Sequence, residues 1–237
     1  MEQGMKQGEE SDAEGYEEFI LDIGLSWMAS KSEYPAWLSE EDFNRSVPKS
    51  GPVDVQLSIV DESITEFERT AGMQIGEDVR RLLDSALPNE VIRTVWLGVT
   101  KSYFDPAKHG MTGRDWMRRI ESVWTASARR LDAAFVPPPP HPVTDAGLRS
   151  AVLDQIRPVA DELEQAASKR SVPGVVPALQ QVVSEACADL GYRLFLRAMK
   201  AYSVEISEER CEKFLALGER FGYPEFLVDD NLNVRVD

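Results

Sequence analysis

Histidine and cysteine are scarce in this chain: 237 residues contain only His109, His141, Cys187 and Cys211. Two cysteines cannot staple a disulfide scaffold, and a structural zinc site wants four Cys or His ligands, so both cysteines are expected in the core. Neither histidine stands in a His-Glu-x-x-His or His-x-x-x-His arrangement. No metal site, cofactor or catalytic residue is assigned from the sequence. Also missing are a Gly-x-Ser-x-Gly elbow, a Walker-type phosphate loop and a Gly-x-Gly-x-x-Gly turn, which removes the commonest signatures of lipases, nucleotide hydrolases and dinucleotide enzymes. No apolar run approaches the ~18 residues of a membrane-crossing helix. Mean hydropathy is −0.32, and Met1-Glu2-Gln3-Gly4 lacks the basic and apolar regions of a secretory signal. A soluble, cytoplasmic protein is expected.

Basic charge is in short supply as well. Twenty-six Lys and Arg face 41 Asp and Glu, a formal net charge of −15. Binding to nucleic acid or to an anionic membrane is therefore disfavoured, since cationic side chains carry both. The excess is uneven: residues 1–42 hold twelve acids against Lys6 and Lys31, whereas residues 43–136 balance at 13 of each sign. One local exception runs from Pro106 to Phe135, where Lys108, Arg114, Arg118, Arg119, Arg129 and Arg130 outnumber Asp115, Glu121 and Asp132. Such a helix reads as a solvated face or an internal partner for the acidic N-terminus. An anion contact there would need a second converging element.

What is plentiful is helical periodicity. Residues 1–10 read as a disordered acidic tail. Ser11-Asp12-Ala13-Glu14 fits a capping box, and Tyr16, Phe19, Ile20, Ile23, Trp27 and Met28 follow at three-and-four spacing, with Glu14, Glu17, Glu18 and Asp22 opposite. Ser39-Glu40-Glu41-Asp42 can start a short helix. Val53, Val55, Leu57 and Ile59 alternate with Asp54, Gln56 and Ser58, which predicts a half-buried strand over 53–60. Further helices are expected from Asp61 or Ser63 to Gly72, from Gly76 to Leu87, and from Pro88 to Asp105. Thr112-Gly113-Arg114-Asp115 opens the longest pattern, through Trp116, Ile120, Trp124 and Phe135. Pro137 to Pro140 and Pro142 stop it. That proline run is a spacer or short rigid bridge. It is also the type of segment that aromatic-lined grooves bind, although the basic residue often paired with such grooves is missing nearby.

Beyond it, helices are expected from Thr144 with a kink at Pro158, from Pro177 to Gly191, from Tyr192 to Tyr202 with Arg193, Arg197 and Lys200 on its polar side, and from Ser207 to Gly222. Phe226-Leu227-Val228 and Val234-Arg235-Val236 read as a C-terminal hairpin over 226–236. The expected fold is thus mainly α, a multi-helix, bundle-like arrangement with a small antiparallel β element made of strand 53–60 and that hairpin. An N-terminal helical region, 11–136, joins a C-terminal one, 144–237, through the bridge 137–143, as two lobes or as one compact unit.

Remaining chemical signals are thin. Ser46-Val47-Pro48-Lys49 has the spacing of a serine nucleophile and its lysine base, but the proline argues against the helical turn it needs. Asp229-Asp230-Asn231-Leu232-Asn233 begins like a calcium loop, yet Val234 replaces the glycine and the chain ends before the bidentate glutamate. The expected function is accordingly a non-enzymatic, acidic helical protein-binding module. An inhibitor, immunity or antitoxin-like protein, or an adaptor, would fit, engaging a basic protein partner through Glu14, Glu17, Glu18, Asp22, Glu40, Glu41 and Asp42. The alternative is an enzyme using carboxylates or His109 in a pocket between the halves, with Trp96, Tyr103, Trp116 or Trp124 lining it. Those aromatics fit core spacing equally well. Homo-oligomerisation is not legible.

Overall fold

A computed structural model describes residues 22–32, 51–65 and 69–235. They form helices α1 (Gly24–Lys31), α2 (Gly51–Thr65), α3 (Arg69–Asp84), α4 (Asn89–Val99), α5 (Gly113–Leu131), α6 (Ala146–Ile156), α7 (Ala160–Lys169), α8 (Val175–Gln181), α9 (Ala188–Tyr202), α10 (Glu208–Phe221) and α11 (Glu225–Asp229). Short 3-10 turns lie at Pro106–His109 and Arg157–Val159, and a π turn at Val182–Ala186. Two strands, β1 (Glu205–Ser207) and β2 (Asn233–Arg235), pair in parallel with Ile206 opposite Val234. Among the described residues the fold is mainly helical with this one small sheet.

The strand expected over 53–60 is helix α2. Alternation of Val53, Val55, Leu57 and Ile59 overlies a second pattern, Val53, Leu57, Val60 and Ile64, at helical spacing, and only this one extends to the fully buried Val60. Pro52 in the first turn suits a helix start. Burial of that stripe beside α3 and α5 outweighs the strand propensity of β-branched residues. The C-terminal hairpin is likewise absent. Phe226-Leu227-Val228 lie in α11, entered from an extended Pro224, and residues near Val234 pair instead with β1. Because α10 and α11 separate the two strands, the connection is a crossover and the pair is parallel rather than antiparallel.

Two expected helices merge in α3, which runs through both Gly72 and Gly76. These glycines do not break the helix; Gly72 lets the Ser63 backbone of α2 close on α3, and Gly76 seats an aromatic ring. A Cβ on Gly76 would stand 2.1 Å from the Trp124 ring of α5, and the Trp124 indole donates to the Gly72 carbonyl at 3.2 Å. The glycine cost in helix propensity, about 1 kcal/mol each relative to alanine, is set against a buried tryptophan lying directly on the backbone of its neighbour. Helix α4 ends at Val99, short of the expected Asp105, where Lys101 and Ser102 take left-handed φ values of 49° and 58°. Gly191, expected to stop a helix, lies inside α9, which starts after the break at Cys187.

Other punctuation is realised as read. Thr112 and Asp115 complete a reciprocal capping box for α5. Asp145 caps α6, one residue past Thr144, and Pro158 ends it in a 3-10 turn. Ser207 accepts from the Arg210 amide to start α10, and Gly222 closes it with φ 78°. The core is one contiguous cluster of buried apolar side chains drawn from both sides of the proline run. In it Trp96 and Trp116 meet edge to face at 5.6 Å, and Phe104 tilts onto Trp116 at 4.7 Å. Cys187 and Cys211 are buried and free.

Candidate functional site: a buried charge network beneath the proline run

Helix α9 is apolar nearly all round, with Leu190, Tyr192, Leu194, Phe195, Leu196, Ala198, Met199 and Ala201 all buried. A helix of that composition has no solvent side, so Arg193, expected on a polar face, is carried inward and its side chain is 0% exposed. Its partner is Asp78, also 0% exposed, which sits on the inner stripe of α3 between Ile75 and Leu82.

Arg193 grips Asp78 with both terminal nitrogens, at 2.7 and 2.6 Å, in the fork-to-fork geometry that suits guanidinium and carboxylate. The same guanidinium donates to Asp189 at 3.2 Å, to the Tyr223 hydroxyl oxygen at 2.9 Å and to the Ile23 carbonyl at 3.2 Å. Tyr223 passes its own proton bond on to Asp189. Arg81 forms the outer half. Its terminal nitrogens reach Asp189 at 2.9 Å, Glu77 at 2.6 Å and the His141 carbonyl at 3.0 Å. Asp78 also accepts from the Leu25 amide at 3.0 Å and from Gln74 at 3.1 Å, which fixes the start of α1.

Electrostatically the network is closed on itself. Burial pushes the Asp189 carboxyl up, but the Arg193 charge, the Tyr223 hydrogen bond and Arg81 together hold it below the ordinary aspartate range. Burial acts to lower the Arg193 value, and the carboxylates of Asp189 and Asp78 outweigh it and raise it. Tyr223 is raised by burial, Arg193 opposing and Asp189 reinforcing. A carboxylate held ionised, a guanidinium held charged and a phenol held protonated have no proton to exchange near neutrality. The cluster's chemistry is therefore cohesion: it ties α1, α3, α9, Tyr223 just beyond α10 and the proline run to one centre.

Of the residues expected to bind a partner, Asp22 is the one described, and it faces inward. It is 9% exposed and accepts from the Ser26 hydroxyl and from the Ile23 amide at 2.9 Å. Burial raises its carboxyl above the usual range, against the nearby Lys200 charge, the Ser26 bond and Arg197. Lys200 in turn is lowered by burial despite Asp22, Asp230 and Asp229, and donates to the Leu227 carbonyl at 2.8 Å. Glu14, Glu17, Glu18, Glu40, Glu41 and Asp42 lie outside the described residues, as does Ser46-Val47-Pro48-Lys49.

The basic residues of 106–135 are largely committed to the protein itself. Arg114 spans the end of α3, donating to the carbonyls of Leu83, Ser85 and Leu87 at 2.6, 2.7 and 2.8 Å. This places a cation where a helix leaves its last carbonyls unpaired. Arg118 pairs with Asp115 at 3.0 Å, Arg130 with Asp61, and Arg129 donates to the Phe135 carbonyl. His109 is exposed and stacks on Phe104 with ring centroids 5.1 Å apart. Trp96, Trp116 and Trp124 are core residues, whereas Tyr103 is exposed. Among the described residues no three His, Cys, Asp or Glu side chains converge as a metal-holding group. No described helix is long and apolar enough to cross a membrane.

Sequence reasoning passed over Asp78, Arg81, Asp189 and Arg193. The available signal was an acid at 189 and a base at 193, one turn apart in N-to-C order, inside a helix apolar on every other side. Comparison with protein-family models, with curated proteins and with solved structures finds no match.

Proposed function

We propose that this chain is a non-enzymatic, acidic helical module that binds a basic protein through its N-terminal acidic segment, in the manner of an inhibitor, immunity or antitoxin-like protein or of an adaptor. The observation that carries this reading is the division of charge. Within the described body the buried charged groups pair with one another, in the Asp78–Arg193–Asp189–Arg81 network and around Asp22 and Lys200. Residues 1–42 hold twelve acids against two lysines. Glu14, Glu17, Glu18, Glu40, Glu41 and Asp42 are the contact residues of the proposal, and Asp22 is withdrawn from it because it is buried.

We take 11–136 and 144–237 to act as one unit with the proline run as an internal bridge. Supporting this are the shared apolar cluster and the bonds from Arg81 to the His141 carbonyl and from the Ala188 amide to the Val143 carbonyl at 3.0 Å.

The test is purification of the tagged full-length protein from its host at low salt and at about 1 M salt, where the Debye length falls to roughly 3 Å, with mass spectrometry of what co-elutes. Expected is one stoichiometric basic protein, retained at low salt, lost at high salt, and lost when the six carboxylates are changed to their amides. Elution alone, or a partner indifferent to those amides, refutes the proposal.

A further inference from the structure

Five prolines occupy six positions over 137–142, and residues 135–145 are neither helix nor strand. Each proline holds its own φ near −65° and forces its predecessor into an extended conformation, and no cis peptide bond occurs among the described residues. Polyproline II is the conformation those constraints leave, with three residues per turn.

Burial along the run follows that period. Pro137, Pro140 and Val143 are half-buried, whereas Val136, Pro138, Pro139, His141 and Pro142 are exposed. Within 137–142 the backbone repeats the spacing: the carbonyls of Pro138 and His141, three residues apart, accept from Arg80 and Arg81. The run is pinned again where Val143 donates to the Cys187 sulfur at 3.2 Å. One edge of a three-sided prism is thus held against the protein and two edges face water. Exposed apolar surface gathers at the same place. Val136 is 76% exposed and Leu131 50%, two of the three large hydrophobic residues exposed among those described.

We infer that residues 136–142 are a docking surface for a protein domain with an aromatic-lined polyproline groove. Such grooves seat pairs of ring faces from two edges of a polyproline helix and leave the third free, and here the third edge is the one the protein holds. Prolines carry no N–H to satisfy on transfer into the groove, and the body already imposes the bound conformation, so little ordering entropy is lost on binding. No Lys or Arg lies between Leu131 and Leu148, and Arg80 and Arg81 are turned onto the run's own carbonyls. The groove is therefore one that reads proline ridges alone, without an acidic pocket for a flanking cation. Docking at this surface does not require that the acidic segment bind a partner.

The experiment titrates unlabelled full-length protein into an isotope-labelled WW domain and an isotope-labelled EVH1 domain, following the groove's aromatic resonances by NMR. Saturable shifts confined to the groove are expected in at least one of the two. The double variant Pro139→Ser/Pro142→Ser should weaken binding at least tenfold, and Val136→Ser, at the same edge, should weaken it too. All three positions are exposed, so unchanged thermal melting of the variants shows that the fold is intact. Absence of groove shifts in both domains up to roughly 1 mM protein, an affinity too weak to be specific, overturns the inference. So do shifts that the substitutions leave unchanged.

Discussion

Cutting the buried charge network at its centre gives the sharpest test of how this fold is held. Consider Arg193→Met, which keeps an unbranched apolar stem and removes the cation. Asp78 and Asp189 then remain in the interior with Arg81 as their shared cation, and Arg81 stands 3.4 Å from Asp78 and 2.9 Å from Asp189. Removing one partner of a buried pair costs about 3–5 kcal/mol, because the other charge is left without compensation. Asp78→Leu leaves Arg193 with Asp189, 3.2 Å away, as its remaining carboxylate, and also deprives the Leu25 amide of its acceptor, a loss of about 1–3 kcal/mol by itself. The double variant removes the pair together. Its cost should fall near or below that of either single change, a coupling of at least ~2 kcal/mol. For a chain of this size about 4 kcal/mol corresponds to a fall in Tm of roughly 8–16 °C. Urea unfolding of the four proteins measures the cycle. Single losses under ~1 kcal/mol, or a double loss equal to the sum of the singles within ~0.5 kcal/mol, would refute a buried, mutually dependent pair. The pH dependence supplies a second check. Asp189 is held below its unfolded value, so its contribution is complete above about pH 4 and is lost as pH falls through the folded value. Arg193→Met removes the strongest restraint on that carboxyl, so acid unfolding should begin at higher pH.

The remaining predictions concern Asp22 and Gly76. Asp22 is raised by burial, so its charged form is disfavoured in the folded protein and the penalty grows as pH rises past the unfolded value of about 3.9. Asp22→Asn should increase stability in denaturant melts at pH 7 and change it little below pH 4, and a loss at pH 7 would sink this reading. Gly76→Ala places a methyl group 2.1 Å from the Trp124 ring. The overpacking should cost about 1–3 kcal/mol despite alanine's better helix propensity, and a stabilised variant would show that the indole is not seated on that backbone.

Helices whose apolar stripe and caps agree were legible. Helix α5 is legible from Thr112 because box and stripe coincide, although it ends at Leu131, short of the expected Phe135 and the prolines, and α10 is legible because Ser207 and Gly222 bracket its apolar face. Legibility failed where one stretch satisfies two periods, as in Val53 to Val60, since alternation and helical spacing share Val53 and Leu57. It failed again at Gly72 and Gly76, where glycine is demanded by the close approach of Ser63 and of the Trp124 ring respectively rather than by a chain reversal. Parallel pairing of Glu205–Ser207 with Asn233–Arg235 rests on three-residue strands too short to leave a pattern. The charge network was invisible for a related reason. Asp78 and Arg193 read as ordinary helix-surface residues until the neighbours that bury them are known, and Asp22 turns inward toward Lys200, which lies at the far end of the sequence.

The separation along the chain of the groups that meet at Arg193 has a kinetic consequence. Asp78 is 115 positions from Arg193, and the Ile23 carbonyl is 170 positions away, so these bonds close only after very long loops have closed, and contacts of that span form late. Until α9 arrives, the inner face of α3 carries a carboxylate without its Arg193 partner, and the Ile23 carbonyl ahead of α1 lacks its Arg193 donor. A collapsed N-terminal half without α9 would hold that buried carboxylate with Arg81, 3.4 Å away, in place of the two-pronged Arg193. Asp78 thus acts against premature collapse, favouring partners that come with the arginine and penalising compact states that exclude it.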